Sequence, residues 1–284
     1  MICSALPAAD RERARPSDPL YARYAGFADL DALFYVRVHL AQGFPAATIR
    51  DFHPGEYYNA EPDSLIVLGA PDRNTAYAEF GPHLPYRLTP QPEPESAVAF
   101  PGHGEVRLAP LWAPEGELLA DLTVITRRTL DQGTTVILLG GCLTLGILGA
   151  AKCLLNGERG RRNTAYLDDL APGGCLIAVT ATRKIGGITD TPNLTAVEPL
   201  LLLTRDTAGG FITRLDNTAR YAGRWSHQRA FPRRPEGFSG RSRHFLLRLE
   251  LDVQVRVERV RAHGRLRGGV GACRRSVNRA PYRT

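Results

Sequence analysis

Thr134-Thr-Val-Ile-Leu-Leu-Gly-Gly-Cys-Leu-Thr-Leu-Gly146 is the stretch on which the reading of the chain turns. Its first six residues are β-branched or leucine, as in a buried strand. Gly140-Gly141 then stops the strand. Leu143 to Leu155 suits a helix, which Asn156-Gly157 ends. Gly133 to Ala151 carries no charge and approaches membrane-spanning length, with basic residues on both sides. The strand-formers and the glycine pair favour strand, turn and helix over a transmembrane segment.

The same grammar occurs earlier, in Leu65-Ile-Val-Leu-Gly-Ala-Pro-Asp-Arg-Asn-Thr-Ala76. Two buried strands that break at glycine into helices define an α/β fold. Further strands are read at Thr48–Phe52, Ala97–Phe100, Glu105–Leu111, Asp121–Thr126, Gly174–Thr182 and Pro199–Thr204. Helices are read at Phe27–Gly43 and, for a turn or two, at Asn163–Leu170. Unbroken apolar strands alternating with helices predict an open, mostly parallel sheet with helices on both faces. The closer spacing of the later strands leaves room for an antiparallel edge.

Three regions follow. Residues 1–26 read as an extended lead-in, 27–220 as the α/β domain, and 221–284 as an Arg-rich C-terminal extension. That extension holds sixteen arginines, no lysine and four acidic residues, a net of +12. The whole chain carries +7, so residues 1–220 carry −5. Leu247 to Glu258 alternates apolar and polar residues without a break, the pattern of a half-buried strand. Beyond Arg259 periodicity is lost and a disordered basic tail is expected. Such arginines suit weak contact with nucleic-acid phosphates, and a translated wrong reading frame of a GC-rich gene is the competing origin.

Five cysteines without CxxC spacing fit a reducing compartment better than a disulfide framework or a zinc site. No signal peptide is read at the N-terminus, so a cytoplasmic location is expected. The histidines form no HxH or HExxH spacing, and neither a metal nor a resident cofactor is expected.

Ligands of open α/β sheets sit at the carboxyl ends of the strands. The candidate ligand-binding residues are therefore Gly69, Asp72, Arg73, Asn74, Gly140, Gly141 and Thr144. The glycines allow backbone approach, Asn74 and Thr144 supply hydrogen bonds, and a helix N-terminus favours an anion. The competing reading is that these glycines only turn the chain and pack helix on strand. Cys142 occupies the position of a nucleophile elbow, where a helix N-terminus lowers a thiol pKa. His103, on a loop, is its candidate base, and Asp72 is an alternative acid/base.

The pairing of Gly69-Ala-Pro-Asp-Arg-Asn74 with Gly140-Gly-Cys-Leu-Thr-Leu-Gly146 resembles a poorly characterised α/β domain of bacterial proteins that carry a separate helix-turn-helix regulator module. The second turn is also similar to the Gly-Gly-x-Gly-Thr turn of nucleotide-binding Rossmann-like sensors, with Leu143 and Thr144 in place of the last pair. The resemblance covers roughly residues 45–205 and implies ligand sensing. Abundant arginine beside scarce lysine fits a GC-rich bacterial genome. The expected function is thus binding or sensing of a small anionic, nucleotide-like molecule. The alternatives are a hydrolase or transferase using the same cleft, and a nucleic-acid-associated regulator acting through the basic tail.

Overall fold

The structure is a computed structural model that describes residues 1–6, 24, 27–56, 64–89, 96–103, 106–114, 116–131, 133–172, 174–185, 187–207 and 209–221. All of these belong to the unit Met1–Arg229. The alternating segment 247–258 and the basic tail lie outside the described residues.

The chain runs β1 (Ile2–Cys3), α1 (Leu30–Gly43), β2 (Leu65–Leu68), α2 (Thr75–Phe80), β3 (Arg87–Thr89), β4 (Ala97–Phe100), β5 (Val106–Leu108), β6 (Leu111–Trp112) and β7 (Leu118–Thr129). It continues through β8 (Thr135–Gly141), α3 (Thr144–Leu155), α4 (Gly157–Leu170), β9 (Leu176–Ile185), β10 (Ile188–Thr189), β11 (Leu201–Arg205) and β12 (Phe211–Asp216). The main sheet has the order β1-β2-β8-β7-β9-β11-β12, with β6 added to β7 and β10 to β9. The stretch 133–151 divides into β8 and α3, and no helix among the described residues is long and apolar enough to cross a membrane.

The class is α/β, but the sheet is mixed and largely antiparallel. Among the strands of the described residues, only β1 with β2 and β2 with β8 pair in parallel. This corrects the expectation of a mostly parallel sheet. Connection length is the reason. Between β7 and β8 the Leu130 N–H donates to Thr134 O at 2.9 Å, closing a tight hairpin. A parallel crossover needs a dozen residues or more, so this strand must turn back. The turn from β11 to β12 is also short, with the Asp206 N–H on Gly210 O at 2.8 Å. An interior antiparallel strand covered on both faces is as unbroken in its apolar residues as a parallel one, so the sequence pattern does not report strand direction.

The helices are also less evenly placed than expected. α1, α3 and α4 share one face, where Leu33, Val36, Ile147, Ala150, Cys153 and Leu167 bury with Leu68, Ile125, Leu139 and Leu202. The other face is covered by short α2 and by a three-stranded antiparallel sheet, β3-β4-β5. There Tyr77, Tyr86, Val98, Phe100 and Leu108 pack on Val67, Leu122, Val124, Leu138 and Val179. Burying each such aliphatic side chain contributes about 1.5–3 kcal/mol. The layers are helices, mixed sheet, then small sheet.

Several boundaries shift. The lead-in begins as a strand, because Ile2 and Cys3 pair with Val67 and Leu68. The segment Thr48–Phe52 forms only a bridge, Phe52 with Ile2. α4 is longer than one or two turns, and buried Asn163 explains its anchorage. Its amide donates to Cys153 O and Pro192 O, each at 2.8 Å, and its carbonyl accepts from the Leu194 N–H at 2.9 Å. At the far end of α4, Arg127 of β7 donates to Ala171 O and Gly174 O and pairs with Asp168.

Candidate functional site

The two glycine turns lie side by side. β2 and β8 run in parallel register, Leu68 beside Leu139, and the Gly69 N–H donates to Leu139 O at 3.0 Å. β1 continues the same edge on the other side of β2, so the carboxyl ends of three parallel strands meet there.

Gly69 adopts φ +125°, a region that disfavours a side chain. A β-carbon on it would fall 1.6 Å from Ser4 Oγ and 3.3 Å from Asp29 Oδ2. The glycine therefore makes room for the chain's own side chains. Ser4 follows β1, is completely buried, and donates its hydroxyl to Leu68 O at 3.2 Å. Asp29, just before α1, is 4% exposed. Burial pushes its carboxyl above the ordinary range, and Asp72 adds to this. The nearby hydroxyls of Ser4 and Thr144, and the charge of Arg73, pull the other way. Burial and then the Asp29 charge push the neighbouring Cys3 thiol up to about 12, which leaves it inert.

Asp72 and Arg73 are exposed and form an ion pair at 3.7 Å beside this group. Thr144 is exposed on the first turn of α3. Asn74, by contrast, is taken up inside the fold. It caps α2, accepting from the Tyr77 N–H at 3.3 Å, and its amide donates to Leu68 O at 2.9 Å and Ile2 O at 3.4 Å. Its hydrogen-bonding capacity is spent holding β1 and β2 to α2.

Gly140 and Gly141 are buried close to other parts of the fold. A β-carbon at Gly140 would lie 2.4 Å from the Tyr77 hydroxyl, the first member of a buried chain. Tyr77 meets Tyr86 at 2.8 Å, and Tyr86 meets Thr126 at 3.0 Å. At Gly141 a β-carbon would lie 2.7 Å from Ile147 N, inside the helix that follows.

The N-terminus of α3 is already met by a carboxyl. Asp121, the fourth residue of β7, has no exposed surface. Its Oδ2 accepts from the Leu143 N–H at 2.9 Å and the Gly146 N–H at 2.6 Å, and its Oδ1 accepts from the Leu122 N–H at 2.7 Å. Burial raises it to about 7 despite these three donors. The amides expected to cradle an anion are thus partly occupied by the protein itself.

Cys142 departs from the expected activation. Its side chain packs against the apolar layer between the two sheets. Burial pushes its thiol well above the ordinary value, Asp121 adds to this, and Arg107 offsets only part. Desolvation outweighs the helix N-terminus. His103 lies after β4, where its Nδ1 meets Thr213 Oγ1 of β12 at 3.2 Å. No group of three or more metal-ligating side chains exists among the described residues.

Ser4, Asp29 and Asp121 were not identified from sequence. Ser4 sits in what reads as a lead-in, Asp29 before a helix, and Asp121 inside an apolar strand. An aspartate opening the strand read at Asp121–Thr126 was the one available signal. Comparison with protein families, curated proteins and solved structures finds no match.

Proposed function

We propose that the protein is a small-molecule-binding domain of the sensing type, with its ligand seated over the carboxyl ends of β1, β2 and β8. The observation that carries this reading is the gathering there of Ser4 and Asp29 against Gly69, with Thr144 and the exposed Asp72–Arg73 pair near enough to act on Asp29. Few polar groups gathered at a strand-end crevice are what such sites use to orient a ligand. Arg73 and the Thr144 hydroxyl suit one anionic group of the ligand, such as a carboxylate or a single phosphate. Asp121 on the neighbouring amides argues against a polyphosphate in the same place. Asp29 suits a hydrogen-bond donor on the ligand.

The enzyme reading keeps one supporting observation, the buried Asp29 carboxyl raised above its ordinary range near two hydroxyls. In that reading Asp29, rather than Cys142, serves as acid/base.

Thermal-shift screening with nucleoside mono-, di- and triphosphates and simple carboxylates tests the binding reading. A ligand at 100 times its dissociation constant adds about 2.7 kcal/mol of stability. Monophosphates or carboxylates should outperform triphosphates. Product analysis on each hit separates the sensor from the hydrolase or transferase. Asp29→Asn should leave folding intact, because a neutral isostere removes a buried charge, and should weaken any hit at least tenfold, about 1.4 kcal/mol. Unchanged affinity in that variant moves the ligand elsewhere.

A further inference from the structure

The first turn of α3 is held by a carboxyl from a distant part of the chain. Asp121 of β7 holds the amides of Leu143 and Gly146. Thr144, between them, is near enough to Asp29, ahead of α1, to favour its charged form. Leu143, the residue that opens the helix, supplies no side-chain cap of its own, so Asp121 serves as the cap from a neighbouring strand. The turn has little room to slide. A β-carbon at Gly146 would lie 2.1 Å from Leu122 O and 2.7 Å from Asp121 Oδ2. One turn further on, Gly149 packs against the pair formed by Thr123 and Thr182 at 2.6 Å.

The groups around Asp121 leave its charge uncompensated. α3 offers it amides only. Thr182 of β9 is opposite it in the ladder and is turned to Thr123. Cys142 at the end of β8 and Tyr221 after β12 both feel its charge, and both are raised by burial, so neither ionises near neutrality. Arg183 of β9 acts on Tyr221 and Arg107 of β5 on Cys142. Beyond the turn stand Asp29, Cys3, Asp72 and Arg73. Among the described residues Asp121 thus has three N–H donors and no counter-ion against complete burial, which pushes its carboxyl up to about 7.

We propose that Asp121 makes the first turn of α3 a proton-operated latch on the cleft, gripping the Leu143 and Gly146 amides as a carboxylate and loosening the turn that carries Thr144 when it takes up a proton. The consequence for ligand rests on the cleft reading above; the latch does not. A charged acceptor makes hydrogen bonds about twice as strong as a neutral one, and a protonated carboxyl must also find an acceptor for its own proton. The local and global effects have opposite sign. Charging Asp121 tightens the turn while costing the fold the burial of a charge, so simple acid unfolding does not mimic the latch.

The test uses the full chain without ligand. Carboxyl carbon and amide resonances are followed by NMR from pH 5.5 to 8.5. The expected result is one shared midpoint near pH 7 for the Asp121 carboxyl and the Leu143, Thr144 and Gly146 amides, with the three amides no longer titrating there in Asp121→Asn. Amides that stay still while Asp121 titrates overturn the latch, as do amides that titrate equally in the variant. Should Asp121→Asn fail to fold, coincidence or divergence of the midpoints in the unaltered protein still decides. A negative ligand screen leaves this result untouched, so the two readings fail separately.

Discussion

The hydroxyl of Ser4 occupies the space that a side chain at position 69 would need, 1.6 Å from the ideal β-carbon of Gly69. Residues 65 positions apart thus set each other's size, and the Asp29 carboxyl closes the same contact. Gly69→Ala combines an unfavourable positive φ with a clash against buried Ser4. The expected loss is about 2–5 kcal/mol in urea unfolding. Gly116→Ala, at φ +83° with open space around it, carries the backbone penalty alone and is the control. Equal losses in the two variants would remove the steric part of the argument.

Gly141→Val should be far more damaging than Cys142→Ser. Valine at 141 drives into the backbone of α3 at Ile147, which displaces the helix and the cleft with it. Overpacking of this kind costs about 1–3 kcal/mol or more. Serine at 142 keeps the size of cysteine in a half-buried position. Circular dichroism melts give the stability order, and ligand titration shows whether affinity follows. Loss of an activity in Cys142→Ser with affinity intact would restore the nucleophile reading.

Stability should fall as pH rises from about 4 to about 7. The native Asp121 binds its proton more tightly than the unfolded chain does, with a pKa near 7 against about 3.8, so the favourable contribution is complete below the lower value and lost through the upper one. Asp29, raised for the same reason, adds in the same direction. The swing is of the order of a few kcal/mol. Urea midpoints at pH 5 and pH 8 measure it, and Asp121→Asn should flatten the slope. Asp121→Ala instead strands the Leu143 and Gly146 amides and should cost about 2 kcal/mol or more at either pH.

Asn163→Leu should cost about 3 kcal/mol or more, because Cys153 O, Pro192 O and the Leu194 N–H lose their partner in a dry interior. Hydrogen exchange should quicken first in residues 190–196, which this one side chain ties to α4. Exchange that quickens uniformly across the sheet would argue against a local anchor.

Much of the chain was legible in windows of a dozen residues. β2, β8 and α3 follow from apolar runs broken by glycine. The neighbourhood of the turns at Gly69 and Gly140 follows from two parallel strands entering helices. Asn74 marked a helix start, and it became a cap rather than a ligand contact because Leu68 O and Ile2 O stood within reach of its amide. β12 was missed because its residues Phe211–Asp216 mix three apolar with three polar side chains and none is buried, the mark of an edge strand.

Strand direction and the makeup of the cleft lay outside any such window. β7 looks the same in composition whether it runs with β8 or against it, and only the hairpin closed by Leu130 and Thr134 settles the matter. Ser4, Asp29, Asp121 and Thr144 are ordinary residues in their local settings. Their chemistry arises where the folded sheet brings them together, removes water from two carboxyls and sets the α3 amides beside one of them. Short-range preference chooses helix, strand and turn because those depend on neighbours a few bonds away. Burial and charge depend on neighbours in space, and the packing of sheet against helix supplies them.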